Sequence, residues 1–198
     1  MIGFEGLNNL ANICALEILS SKIPIESFTA LNEPIDMFRI NAKDAPQEKL
    51  GEKKDSLMKE TGWPDSIINE CRTEDEVKIY RDAKLEVETV NEKDCLIRTD
   101  IDYDKIIDGQ TNLERMKCGK CPISDDGQKI ELHHIGQNPN APLAELKEQE
   151  HRGKVNDMIL HDKTIEESLI DRYAFREERE SHWIARAEIV ERKRNIER

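Results

Sequence analysis

The sequence predicts an α+β fold, mainly helical, with a small antiparallel sheet and a long C-terminal helix. Three observations carry that prediction. Charged residues make up 36% of the 198-residue chain and aromatic residues only 5%, so much of it must be helix with a solvated face over a core poor in rings. The stretches "LEVETV", "CLIRTDI" and "KIELHH" alternate apolar and polar side chains, the period of strands with one buried face. Finally, residues 164–198 contain neither Gly nor Pro and are rich in Glu and Arg, which suits one long helix.

Taken in chain order, residues 1–23 space Leu7, Leu10, Ile13, Cys14, Leu16 and Ile18 as the buried stripe of an amphipathic helix. Pro24, Pro34, Pro46 and Gly51 then interrupt any period, so an N-terminal helix and linker occupy 1–55 and the main domain 56–198. Two short helices follow in "TGWPDSIINECRTEDEVKIYRDA". Pro64 opens the first, and Thr73 caps the second with Glu76 reciprocating three residues later. "NEKD" reads as the turn of a two-stranded hairpin. Along the C-terminal helix, Phe175, Trp183, Ile184, Ala187, Ile189 and Val190 gather on one side. Aromatic residues at such spacing serve a core rather than a platform for stacked bases. There is no internal repeat.

The net charge of −12 excludes a protein that holds nucleic acid by long-range attraction of a basic body to phosphate. Any such contact must be local, resting on a bound cation and a few arginines. The start has no basic n-region and no run approaches the ~20 apolar residues of a membrane span, so neither a signal peptide nor a membrane partner is expected. Five cysteines, at 14, 71, 95, 118 and 121, form no even-numbered disulfide framework and read as free thiols. Cys118 and Cys121 have the spacing of half a zinc knuckle, and structural zinc there stays open beside the free-thiol reading.

"KIELHHIGQ" places two of the chain's five histidines side by side at a strand end. Neighbours on a strand point to opposite faces, so Ile130, Leu132 and His134 share one side, and Glu131 and His133 the other. Adjacent imidazoles thus have different surroundings, and Gly136 permits a bend just beyond them. One ring can ligate a metal while the other is free to take a proton from water. His151 and His161 follow downstream and supply further nitrogen donors.

The stretch "TNLERMKCGKCPISDDGQKIELHHIGQNPNAPLAELKEQEHRG" resembles the LHH subgroup of the HNH/endonuclease VII nuclease superfamily. The likeness rests on "NLERM", the turn before the strand, "ELHHIGQ", "PLAEL" and "EHRG", and it extends roughly from Thr61 to Ala187. It implies a ββα-metal (His-Me) finger with "KIELHH" and "PLAEL" as strands and a helix from about Glu148. It implies a DNA-directed, metal-dependent endonuclease, with RNA the less favoured substrate. The family is mostly made of toxin domains of bacterial polymorphic toxins, secreted or held in the cytoplasm of producing or target cells and neutralised by a cognate immunity protein.

Carried over by position, His133 and His151 are metal ligands and His134 the general base. His161, arriving by a loop because Gly153 interrupts the helix, or Asn156 in its place, completes the set around a divalent ion: Zn, Mg, Mn or Ni. Glu131 would accept a hydrogen bond from the His133 ring or pair an arginine. Arg115, Arg152 and Lys154 are candidates to grip phosphate, with surface solubility the plainer alternative. A reading from another class stands beside this one: a catalytically inactive HNH-like interaction module, favoured by the acidic balance and opposed by the intact histidines.

Overall fold

Apolar side chains on both faces of one small sheet organise the structure. The computed structural model describes residues 50–51, 53–164 and 170–196, all within a unit spanning Pro46–Arg198. The helix expected over 1–23 and most of the linker lie outside the described residues.

Helices α1 (Lys54–Thr61), α2 (Asp65–Ile68) and α3 (Glu74–Asp82) come first, then the hairpin of β1 (Glu86–Val90) and β2 (Lys93–Ile97). Short strands β3 (Ile106–Ile107) and β4 (Gln110–Thr111) lead into α4 (Asn112–Lys117), capped by a Thr111–Glu114 capping box. Next come β5 (Ile130–His134), β6 (Leu143–Lys147), α5 (Glu148–Arg152), α6 (Lys154–Leu160) and α7 (Arg172–Ile196). The expected ββα unit is thus present as β5, β6 and α5.

The main sheet has the order β1-β2-β6-β5. The β1–β2 and β5–β6 pairs are antiparallel, but β2 joins β6 in parallel through Leu96 and Ala144. That parallel pair links the hairpin to the finger, a connection that alternation within each strand cannot reveal. One face of the sheet, with Leu96, Ala144 and Leu146, packs on Leu57, Trp63, Ile67, Ile68, Val77, Tyr80 and Leu160. The other face, with Cys95, Ile97, Ile130, Leu132 and Leu143, packs on Met116 of α4 and Trp183, Ala187 and Ile189 of α7. Trp183 is core, as its spacing predicts, and Phe175 packs against the same cluster.

Several local expectations are corrected. The hairpin turn is the two residues Asn91 and Glu92, both at positive φ (51° and 64°), the geometry that matches strand twist in a tight hairpin. Lys93 and Asp94 therefore belong to β2 rather than to a four-residue turn. The Thr73 hydroxyl does accept the Glu76 N–H at 3.1 Å, yet Glu76 does not reciprocate. Its carboxylate accepts instead from the backbone N–H of Arg72 (2.8 Å), the Tyr80 hydroxyl (2.7 Å) and the N–H of Gly136 (2.8 Å). Helix α7 begins at Arg172, not Thr164: the Asp171 carboxylate accepts from the N–H groups of Tyr173 and Ala174, capping the helix there. Thr164 bonds Asp162 in a turn.

A polar cluster is sealed between β6 and α7. Glu145 accepts from Arg186 Nε (2.7 Å), His182 Nε2 (2.9 Å) and the Arg98 N–H (2.9 Å). Glu145, His182 and Arg186 are all buried. Burial alone would raise the Glu145 carboxyl, but the Arg186 guanidinium and the His182 bond outweigh it and hold the pKa below its ordinary 4.5.

Arg186→Ala, which strands that carboxylate, should lower stability by about 3–5 kcal/mol. Arg194→Ala, which removes an exposed partner of Asp104, should cost at most about 1 kcal/mol. Denaturant titration compares the two. Because the folded pKa of Glu145 is depressed, its stabilisation is complete above 4.5 and is lost as pH falls through the folded value. The wild type should therefore weaken in acid more steeply than Arg186→Ala.

Candidate metal centre

Strand β5 pairs His133 with Ala144 and His134 with Leu143, and its alternation sends the two rings apart. His134 faces α7, where its ring lies 4.5 Å from that of Phe175. His133 faces the opposite layer, 6.4 Å from the ring of Tyr80. Past the pair the chain turns sharply at Gly136, with φ 65°. A Cβ there would fall 2.1 Å from the Glu70 carbonyl oxygen, so only glycine fits.

The His133 ring meets two others. Its centroid is 5.0 Å from that of His151 and 5.2 Å from that of His161, and those two are 5.0 Å apart. One ligand nitrogen from each ring lies within 4.8 Å of the others. His151 is held in the single turn of α5. Gly153 does break that helix, but the chain resumes as α6 and delivers His161 at its C-terminal cap rather than by a loop. Two contacts hold that end in place. Arg72 Nη2 donates to the Ile159 carbonyl (2.7 Å), and the Asp162 N–H donates to Gln137 Oε1 (2.6 Å). Asn156, the alternative third ligand, donates its amide to the Glu150 carbonyl (2.9 Å) instead.

Carboxylates decide which nitrogen faces inward for two of the rings. His151 Nδ1 bonds Glu131 Oε2 at 2.8 Å, and His161 Nδ1 lies 2.9 Å from Asp157 Oδ1. His133 Nε2 has no hydrogen-bond partner among the described residues and is buried, 4.0 Å from Glu76 Oε1. The inward atoms are then Nε2 of His151, Nε2 of His161 and Nδ1 of His133. His133 Nδ1 and His151 Nε2 are 3.2 Å apart. Two nitrogens each about 2.0–2.1 Å from one tetrahedral ion are about 3.3 Å apart, so the residues fit a metal. Burial first, then the neighbouring imidazoles, holds the His133 pKa well below the ordinary histidine value. Burial also lowers that of His151, against the opposing Glu131 bond. Both rings favour the neutral form that ligates.

Glu131 bonds His151 and Arg152 Nε (2.7 Å), not His133. Arg152 is otherwise exposed beside the triad, and Lys154 is exposed at the start of α6. Arg115 does not join the cluster; its guanidinium donates to the Cys121 carbonyl. Cys118 is exposed and Cys121 half-buried. Among the described residues the three histidines are the one group of at least three His, Cys, Asp or Glu side chains arranged for a metal.

Asp157 and Glu178 were not singled out from sequence. The four-residue spacing of Asp157 and His161 on one helix was a usable signal. Glu178 had none, for it meets His134 Nε2 at 2.8 Å across 44 residues. Burial would raise the Glu178 carboxyl, but the bond from His134 and the charge of Lys93 bring it below the usual value.

Three imidazole donors favour borderline transition ions over Mg²⁺, which prefers oxygen ligands. Calorimetry on the full chain should show Zn²⁺ or Ni²⁺ binding at one site far more tightly than Mg²⁺. His133→Ala and His151→Ala should each weaken that binding strongly, and Glu131→Ala by roughly 10- to 100-fold. Unchanged affinity in both histidine variants would remove the metal assignment.

None of the described helices is long and apolar enough to cross a membrane, and no solved structure matches the chain. Residues 111–189 match the family model of LHH, described as a nuclease of the HNH/ENDO VII superfamily with conserved LHH. The match starts at the capping residue of α4, later than the Thr61 at which the resemblance was expected to begin. It takes in β5, β6, all three histidines of the triad and most of α7. The segment 111–189, which holds the ββα unit and the triad, is therefore similar to the LHH nucleases of the HNH/ENDO VII superfamily.

Proposed function

We propose that the chain is a metal-dependent HNH-type endonuclease that hydrolyses DNA phosphodiester bonds. It would act as the toxin effector of a bacterial polymorphic toxin system, inside a target cell, and a cognate immunity protein would neutralise it. The observation that carries the nuclease reading is the histidine triad on the ββα unit, within a segment of a nuclease superfamily. The toxin assignment follows from what the resemblance implies.

A bound divalent ion supplies a positive partner for the attacked phosphate and the leaving oxygen. The chain's own residues do the rest. His133, His151 and His161 hold the site, and Glu131 and Asp157 fix the tautomers of two of them. His134, adjacent in sequence but outside the triad, accepts the proton of the attacking water. Arg152 keeps Nε on Glu131 and is exposed enough to offer its remaining N–H groups to a phosphate.

In a supercoiled-plasmid nicking assay with Mg²⁺, Mn²⁺ or Zn²⁺, His134→Ala should lose about 10²- to 10⁴-fold in rate while its metal affinity stays near wild type. Loss of metal binding in that variant would contradict the division of roles. No cleavage by the wild type with any of these ions would sink the nuclease reading.

Residues 105–163 carry about as many acidic as basic side chains, and Lys147 and Lys163 are already paired with Asp126 and Asp157. Contact with DNA should therefore involve about two to four phosphates, and log affinity should fall shallowly with log salt. Binding of His134→Ala across a salt series checks this. A slope steeper than about −6 would mean an extended basic groove.

A further inference from the structure

The inner face of α7 reads Phe175, Glu178, His182, Arg186, a run at three- and four-residue spacing that keeps all four on one side of a helix. Arg186 and His182 grip Glu145 of β6 from within the core, and Trp183 and Ala187 pack beside them. One turn earlier, the same face presents Phe175 and Glu178 to the end of β5. There the His134 ring rests against Phe175 and its Nε2 meets Glu178 Oε2 at 2.8 Å. The other Glu178 oxygen is 3.4 Å from Lys93 Nζ on β2. The Arg179 guanidinium lies over the Phe175 ring, 5.0 Å from its centroid. His134 Nδ1 has no hydrogen-bond partner among the described residues, so the ring is held at one nitrogen and open at the other.

We infer that Glu178 is a positioning residue for His134: its carboxylate accepts the Nε2 proton, fixes the Nε2–H tautomer and leaves the Nδ1 lone pair free to face the reacting water. The inference rests on the base role proposed for His134 and adds to it the group that orients the base. A carboxylate suits the task because it only accepts, so the proton on the ring must lie on the nitrogen facing it. Its position is over-determined. The buried Glu145 cluster fixes the rotation and register of α7, Phe175 limits the tilt of the ring, and Lys93 holds the second oxygen. No residue near His134 in sequence does this, and the constraint arrives only through the C-terminal helix.

The test uses the full chain and two readouts. In the wild type, the ¹⁵N shifts of the His134 ring, recorded without metal at a pH where the ring is neutral, should show a protonated Nε2 and an unprotonated Nδ1. Glu178→Ala should shift the ring toward a mixture of tautomers. It should also lower kcat in plasmid nicking by roughly 10- to 100-fold, as loss of a group that orients an imidazole does, with KM and metal affinity unchanged. Glu178→Gln, whose carbonyl can still accept from Nε2–H, should keep the wild-type tautomer and recover much of the rate. A wild-type ring protonated at Nδ1 would overturn the inference. So would Glu178→Ala cleaving as fast as wild type, or faster, since the carboxylate would then be idle or in the way. If His134→Ala itself cleaved at the wild-type rate, the base reading would fall and this inference with it. An inactive His134→Ala beside a fully active Glu178→Ala would remove the Glu178 inference alone.

Discussion

The pairing of Ile130–His134 against Leu143–Lys147 is the constraint on which the other features depend. An antiparallel ladder fixes which side of the sheet each residue faces, and a slip of one residue would exchange the sides. In the observed register, Ile130 and Leu132 enter the core beneath α7, and His134 lies on that side against Phe175. Glu131 and His133 then face α5 and α6. The apolar residues set the register, and the register separates the two imidazoles. Neither histidine could be moved to the other layer without lifting Ile130 and Leu132 out of the core.

On the His133 side the chemistry is one of neutral rings backed by acids. Burial disfavours charge on these rings, and three imidazoles crowded together would also repel one another if protonated, so His133 and His151 are pushed toward the neutral form. Glu131 and Asp157 each take the outer nitrogen of a ring, and Glu76 lies behind the third at 4.0 Å. Glu131, Glu145 and Glu178 are all held below their ordinary carboxyl pKa values by imidazole or guanidinium partners. Part of the chain's acidic surplus is therefore internal and already matched to imidazole or guanidinium, so net charge alone says little about the surface that nucleic acid would meet.

The sequence made legible whatever depends on short-range pattern. The alternation of "KIELHH" gave the two-sided strand, Gly136 the bend, and the Gly- and Pro-free run rich in Glu and Arg the long C-terminal helix. The triad was legible because its donors are of one rare residue type, joined to a motif that limits their order. Partners that meet across layers escaped. Glu76 looked like half of a capping box, but Tyr80, Arg72 and Gly136 compete for its carboxylate and win because the site is buried. The bond from Arg115 to the Cys121 carbonyl, which its type and position as a candidate phosphate ligand did not reveal, is another contact that only the fold supplies. Glu178 was one acidic residue among many on a charged helix until the packing of α7 placed it on His134.

That packing also explains why a polar cluster sits where apolar residues would be simpler. A buried ionic group is poor evidence for stability, since removing charge from water costs as much as the pairing returns. What it adds is direction. A helix held only by Trp183, Ala187 and Ile189 could slide or rotate slightly at small cost, because dispersion and apolar burial depend weakly on angle. Glu145 requires donors from His182, Arg186 and the backbone of Arg98 at 2.7–2.9 Å together, and one placement of α7 supplies them. Since Glu178 lies one turn before His182 on the same helix, the geometry that satisfies Glu145 in the core also determines where the carboxylate meets His134 at the edge of the sheet.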